Sequence, residues 1–448
     1  MKKTSFLVIA FLFLQIVAKA QTITINIYER IRKEYSVPGF AGVINGELWG
    51  DCMIFSKADG QYIRQNDSFY GGYRVCLQQG SVTFEKPSYG FVGKGSGNIF
   101  YYPYDNPSKG QKIKVDMNAG SSGSGKFSKE RYGFVQSALI ENFFVYNNGS
   151  NFYCLSESGE VKWTKDLSSF GLLLEYRILE DHQLYILAEN ETAFTLICID
   201  PQTGGMKKTE EKKPGFKING AHLSLSKDKS TLLVGCMYGK NHYEFWNNGD
   251  NFRSDGMIIC RLSPTDLSVQ QSMVLGFPEE YSSEMGGSEK GILNPFVADM
   301  MQKGDNIYVI SSSYTVKSSQ DSYVWVSGPV LLWTISGTEV IASQFIQPGK
   351  GSSMLGNVKL YESHDKVWLA YADIFTPENG RQNYSSLSVM EVTGEDAEIK
   401  TWHEDSEKHK LSSINVAGGA QLDNGDLIFL ASLTNSVSDI ASIRVKLD

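Results

Sequence analysis

Histidine is scarce in this chain of 448 residues, six in all, and no long apolar run occurs after the first twenty residues. So few histidines leave no clustered set of His and Cys to hold zinc, and HEDSEKH (403–409) has Glu407 where a zinc helix needs its second histidine. Interrupted apolar runs exclude a membrane-spanning helix. Blocks of one charge are missing too. With 42 basic and 50 acidic residues and a formal net charge of -8, the chain has no electrostatic footprint for nucleic acid and no polybasic patch for anionic lipid. Aromatic residues, by contrast, make up 12% and glycines number 43, a composition suited to many short strands joined by tight turns.

The first twenty residues carry an address. Lys2 and Lys3 precede FLVIAFLFLQIVA (6–18), a run too short and too early for an ordinary span, and Ala18-Lys19-Ala20 forms a small-x-small cleavage site. Residues 1–20 therefore read as a bacterial signal peptide cut before Gln21, and no cysteine follows the cut to take a lipid anchor. The expectation is a soluble periplasmic or secreted protein in which residues 21–448 form one domain.

A repeat runs through that domain. ENFFVYNN (141–148), HQLYILAE (182–189), KSTLLVGC (229–236), DNIYVISS (305–312), DKVWLAYA (365–372) and GDLIFLAS (425–432) each pair a polar turn with a buried-strand run. Each is preceded by a strand and short turn, as in HLSLSKDKS (222–230), and most are followed by a hairpin such as LICIDPQTGGMKK (196–208). Four strands in series, tightly turned between first and second and between third and fourth, make a blade of a β-propeller. Six units from about 137 onward, with weaker equivalents around ELWGDCMIF (47–55) and NIFYYPY (98–104), predict an all-β single propeller of eight blades, or seven. The chain ends one strand short of a full last blade at IRVKLD (443–448), while TITIN (22–26) is a spare strand. The first strand is therefore predicted to close the ring beside the last blade.

FFVYNNGSNFYCLSESGEVKWTKDL (143–167) resembles the repeat of quinoprotein-like (PQQ-like) propellers, with Gly159 and Trp163 at the last two motif positions. CIDPQTGGM (198–206) keeps the Asp-x-x-Thr-Gly turn without the tryptophan, and SLSKDKSTLLVG (224–235) looks more like a WD-like unit. The resemblance implies the fold; function belongs to the site. AGSSGSGKF (119–127) mimics a phosphate-binding loop, but Phe127 stands where the metal-binding hydroxyl belongs and SKERYGF (128–134) opens no apolar helix, so it reads as a Gly/Ser linker. Neither cofactor nor metal is expected; NNGDNFRSDG (247–256) misses the calcium-loop spacing. Cys154, Cys198 and Cys260 recur in the third strand of successive units, with Cys76 in YRVCLQQGSV (73–82) read as a fourth case, which favours free buried thiols, with Cys236–Cys260 the pair to form if any does.

Loop length is uneven. Long connections fall between second and third strands, at 238–256, 312–327 and 372–386, and between units at 277–293, and in a propeller these emerge on one face. They carry Tyr243, Trp246, Arg253, Tyr281, Tyr314, Tyr323, Trp325, Arg381 and Tyr384, side chains suited to sugar stacking or to a protein hot spot. Two functions follow. The first is a non-catalytic exported propeller that binds a cell-envelope protein or glycan; the second is a glycan hydrolase or lyase using acids such as Glu244, Asp250, Glu279 or Glu284. No acid sits in a catalytic motif, which favours binding.

Overall fold

The computed structural model describes the strands alone for residues 23–148, and most of 150–447 outside short segments, the longest being 282–291, 347–357 and 376–383. The residues that form AGSSGSGKF lie outside the described set. The described chain is all-β, a succession of antiparallel sheets with single short helical turns between them. Five sheets have four strands, and a sixth has the same four-strand path with an extra strand, Ser322–Ser327, on its second member. In chain order they occupy 133–166, 172–212, 217–276, 295–346, 358–402 and 411–445. Two three-stranded sheets, spanning 52–85 and 89–114, precede them. Each of the six repeated runs is the second strand of its sheet, as the turn-and-run pattern predicts.

The last sheet draws its fourth strand from the other end of the chain. Ile23–Tyr28 pairs antiparallel with Ile440–Val445, from Ile23 opposite Val445 to Tyr28 opposite Ile440. Without it the third strand of that sheet would present a row of unpaired backbone groups.

Why the second strands are apolar in consecutive positions, not only at alternate ones, follows from what covers them. In Leu232–Gly239, Leu232, Val234 and Cys236 join a core cluster with the preceding sheet's Tyr185, Leu187 and Cys198. Leu233 and Met237 join a different cluster, with Ile307, Val309 and Trp333 of the following sheet. The alternation repeats one sheet on, where Ile307 and Val309 face back, and Tyr308 and Ile310 face forward to Val367 and Leu369. Trp368 and Ala370 then face the last sheet's Phe429 and Ile443. Both faces of these sheets are thus dry, each packed on a neighbour, and period-2 alternation sorts side chains between two cores.

First strands meet their neighbours directly. Leu172–Ile178 packs on Lys217–Leu225, which packs on Pro295–Lys303, then Val358–Ser363, then Leu411–Gln421. A file of adjacent first strands with sheets stacked behind it fits a propeller, in which the first strand of every blade lines the axis.

Turn chemistry explains the trimmed end. Asp228 accepts hydrogen bonds from Ser226 Oγ at 2.6 Å and Ser230 N at 3.1 Å, and Asp200 accepts from Gln202 N at 2.8 Å and Thr203 Oγ1 at 2.8 Å. The second turn ends at Gly204, whose φ of 70° suits glycine and whose added Cβ would stand 2.9 Å from Trp163 Cγ. Trp163 of the preceding sheet lies over that glycine and donates from Nε1 to Pro201 O at 2.7 Å. The tryptophan and the Asp-x-x-Thr-Gly turn of the quinoprotein-like motif are therefore two halves of one contact between sheets.

Two-faced burial is directly testable, because Leu232 and Leu233 are both fully buried but belong to different cores. Leu232→Ala and Leu233→Ala are each expected to cost about 2–5 kcal/mol in denaturant unfolding. A sheet with one wet face would show one substitution near zero.

Candidate functional site

Among the described residues, the long connections of the sequence carry extra strands. Residues 238–256 fold into the hairpin Tyr243–Trp246 and Gly249–Ser254, with Tyr243 opposite Phe252 and Trp246 opposite Gly249. Residues 312–327 continue the strand Asn306–Ser319, which turns back as Ser322–Ser327, placing Tyr323 opposite Ser318 and Trp325 opposite Val316. The inter-sheet connection contributes Ile292–Leu293, which pairs with the first hairpin, Arg253 opposite Leu293 and Ser254 opposite Ile292. A second-to-third connection and a connection between sheets thus join in one small three-stranded sheet.

Asn294 fastens the junction. Its N–H donates to Phe252 O at 2.7 Å, its Oδ1 accepts from Phe252 N at 2.9 Å, and its carbonyl accepts from Tyr314 N at 3.3 Å. Three excursions from two sheets therefore meet at one buried residue, whose φ of 47° asparagine tolerates well. Below it, Ser254 Oγ lies 2.7 Å from both Tyr238 O and Gly256 O, tying the hairpin's foot to the sheet.

The structure places the nine predicted site residues unevenly. Tyr243, Trp246 and Arg253 share the first hairpin, with the Arg253 side chain half-buried. Tyr323 and Trp325 share the second excursion with Tyr314, which is half-buried with its ring 6.2 Å from that of Phe296. Tyr384 is half-buried at the start of Tyr384–Glu391, opposite Phe375, and Arg381 lies outside the described residues. Tyr281 is the correction. It is fully buried in the core between the sheets at 217–276 and 295–346, its ring 5.3 Å from Phe277 and 6.0 Å from Phe345. An aromatic ring in a connection packs whenever the connection crosses an open core edge, and Tyr281 caps that edge. Of the four acids, Glu244 and Asp250 are on the first hairpin, Glu279 is exposed and Glu284 lies outside the described residues.

A second constellation, which no motif announced, runs along the file of first strands. Arg177 Nη1 lies 3.3 Å from His222 Nε2, and the same nitrogen lies 3.2 Å from Asp299 Oδ1. Asp299 Oδ2 accepts from Leu360 N at 2.7 Å, Lys359 Nζ donates to Gly419 O at 3.4 Å, and Tyr361 Oη donates to Val416 O at 2.9 Å. Each link joins one first strand to the next. Bulges aim these side chains: pairing skips between Asn219 and His222 and again between Val297 and Asp299. The Gly220 of KINGAHLSL, an isolated glycine inside a strand pattern, was the available signal. Its φ is 54°, and a Cβ there would stand 2.6 Å from Pro295 O.

Burial, and then the neighbouring Arg177 charge, push His222 below its ordinary value of 6.5, so the ring is neutral near pH 7, and its tautomer sets whether Nε2 donates to Asp299 or accepts from Arg177. Burial alone would raise Asp299, but the hydrogen bond from His222, the nearby Lys359 charge and the Leu360 N–H outweigh it and hold the carboxyl below 3.8. These contacts fasten each first strand to the next. No group of three or more metal-ligating side chains occurs among the described residues, and no helix there is long and apolar enough to cross a membrane.

No family model matches the chain, and no curated protein does. Solved structures similar to it include the WD40 domain of Neurospora crassa Pan2, 8% identical over 81% of this chain and 86% of that one, with a TM-score of 0.38. Kluyveromyces lactis Hsv2p is 9% identical over 79% and 94%, with a TM-score of 0.39. A catalytically inactive virginiamycin B lyase from Staphylococcus aureus with quinupristin is 9% identical over 88% and 99%, with a TM-score of 0.33. The reading of the fold rests on the sheets and their packing.

The buried histidine gives a signed pH effect. As pH falls below 6.5 the unfolded chain takes up a proton that folded His222 refuses, and below 3.8 Asp299 does the same, so acid lowers stability in both windows. In urea unfolding across a pH series, His222→Gln is expected to flatten the decline between about pH 6.5 and 5. An unchanged slope would show that His222 titrates in the fold as it does in the unfolded chain.

Proposed function

We propose that this chain is an exported, non-catalytic β-propeller that binds a cell-envelope protein or glycan through its built-up face. Residues 1–20 address it to the periplasm or beyond and are removed. Residues 21–448 make one ring of eight blades, the sheets at 52–85 and 89–114 counting as the first two, with Ile23–Tyr28 closing it beside the last.

The observation that carries this reading is the junction at Asn294. Connections of both kinds that a propeller sends to one end join there in a small sheet, with Tyr243, Trp246 and Arg253 on one hairpin and Tyr314, Tyr323 and Trp325 on the neighbouring excursion. Strands hold aromatic side chains in fixed positions at a lower entropy cost than free loops do, which favours recognition. Tyr384 extends the face toward the next sheet, and Tyr281 supports it from beneath; Arg381, in the same connection in sequence, is assigned to the same face. Opposite this face the turns are short and closed on themselves.

The paired variant Trp246→Ala, Trp325→Ala, assayed on a glycan array and against cell-envelope extracts, is expected to lose at least about tenfold in affinity while unfolding like the wild type. Binding unchanged by the pair removes this face as the site. Turnover of any glycan by the wild type would replace the binding reading with the hydrolase or lyase reading.

A further inference from the structure

We propose that Cys52 and Cys76 oxidise on export to an intramolecular disulfide that clamps the first sheet; this rests on the export reading given under Proposed function. In the antiparallel pair formed by Cys52–Lys57 and Gly71–Gln78, Cys52 stands directly opposite Cys76. Residues directly opposite in an antiparallel pair have Cα atoms about 4.5–5.5 Å apart, inside the span of about 4.4–6.8 Å that a disulfide bridges.

The other four cysteines are placed differently. Cys236 is opposite Ile258 and Cys260 is opposite Val234, so these two are diagonal neighbours, a relation of about 7–8 Å that lies beyond ordinary disulfide reach. Cys154, Cys198 and Cys260 occupy the third strands of three consecutive sheets, and all four are free and buried. Burial pushes the Cys154 thiol up to about 12 and that of Cys198 to about 11, which leaves almost no thiolate to react. Six cysteines thus divide into four thiols that fill space between sheets and one opposed pair on a sheet with only three strands.

The step balances with a disulfide-bonded thiol oxidoreductase of the exported compartment as oxidant. One of the two cysteines attacks the oxidoreductase disulfide as its thiolate, and the other displaces the resulting mixed disulfide. A sulfur–sulfur bond forms in this chain, one breaks in the oxidant, and the two electrons and two protons end on the oxidant's dithiol.

The test uses the full folded chain, reduced and then held in a buffer of oxidised and reduced glutathione. It is alkylated with iodoacetamide and digested without reduction for mass spectrometry. The expected product is a peptide pair joined through Cys52 and Cys76, two hydrogens lighter than its reduced parts, with the other four cysteines alkylated only after denaturation. Material recovered from the periplasm is expected to carry the same link without added glutathione. Alkylation of both Cys52 and Cys76, or a link from either to another cysteine, in either sample overturns the proposal. Failure of export shows itself separately, as a cytoplasmic chain that keeps residues 1–20, and the glutathione sample then decides whether the pair closes.

Discussion

No sheet in the series from 172 to 402 is dry on its own: each covers both faces by lying between two others. The adjacent leucines 232 and 233 point into different cores, and so do Val309 and Ile310 one sheet later. This requirement explains the near-continuous apolar second strands and the small side chains, cysteine among them, in the third. It also explains why the chain spends its polar residues on turns and on the outermost strands, such as Met206–Lys212.

A stack held this way must also fix the distance and tilt between neighbours. That task falls to the first strands, which approach closely enough that Gly220 leaves no room for a Cβ against Pro295 and Phe296. The row from Arg177 through His222 and Asp299 to Leu360 then registers one first strand on the next, with bulges turning the participating side chains across the gap. Buried polar contacts of this kind add little net stability yet penalise any other alignment, because a shifted strand strands a charge. The rigid frame so produced is what allows strand-borne excursions at one end to keep a defined shape around Asn294.

How much of this the sequence disclosed depended on whether a signal was local. Second strands, turns and the recurring cysteine slot were legible, since two-faced burial writes a continuous apolar run and Asp–Ser or Asp–Gly chemistry writes a turn. The pairing partner of the first strand was legible from a missing strand at the other end. Hairpins inside 238–256 and 312–327 were not, because YEFW and SYVWVS are short and lie among polar residues, so they read as loop. Tyr281 looked like the other aromatics of these connections because nothing in a single residue reports which core edge lies beneath it. His222 and Asp299 meet only across sheets and only by way of bulges, and Gly220 alone hinted at one. The Cys52–Cys76 register likewise depends on how two strands slide past each other, which hydrophobic pattern does not reveal.

The proposed ring, in which the sheets stabilise one another and the first strand completes the last sheet, is tested most directly by deleting residues 21–28. Hydrogen–deuterium exchange and a thermal melt of the shortened chain, beside the intact one, give the answer. The account predicts that amides of Ile440–Val445 lose protection and that the whole molecule melts earlier in one transition, because an opened ring uncovers a sheet that its neighbours rely on. Protection and melting unchanged by the deletion would contradict it.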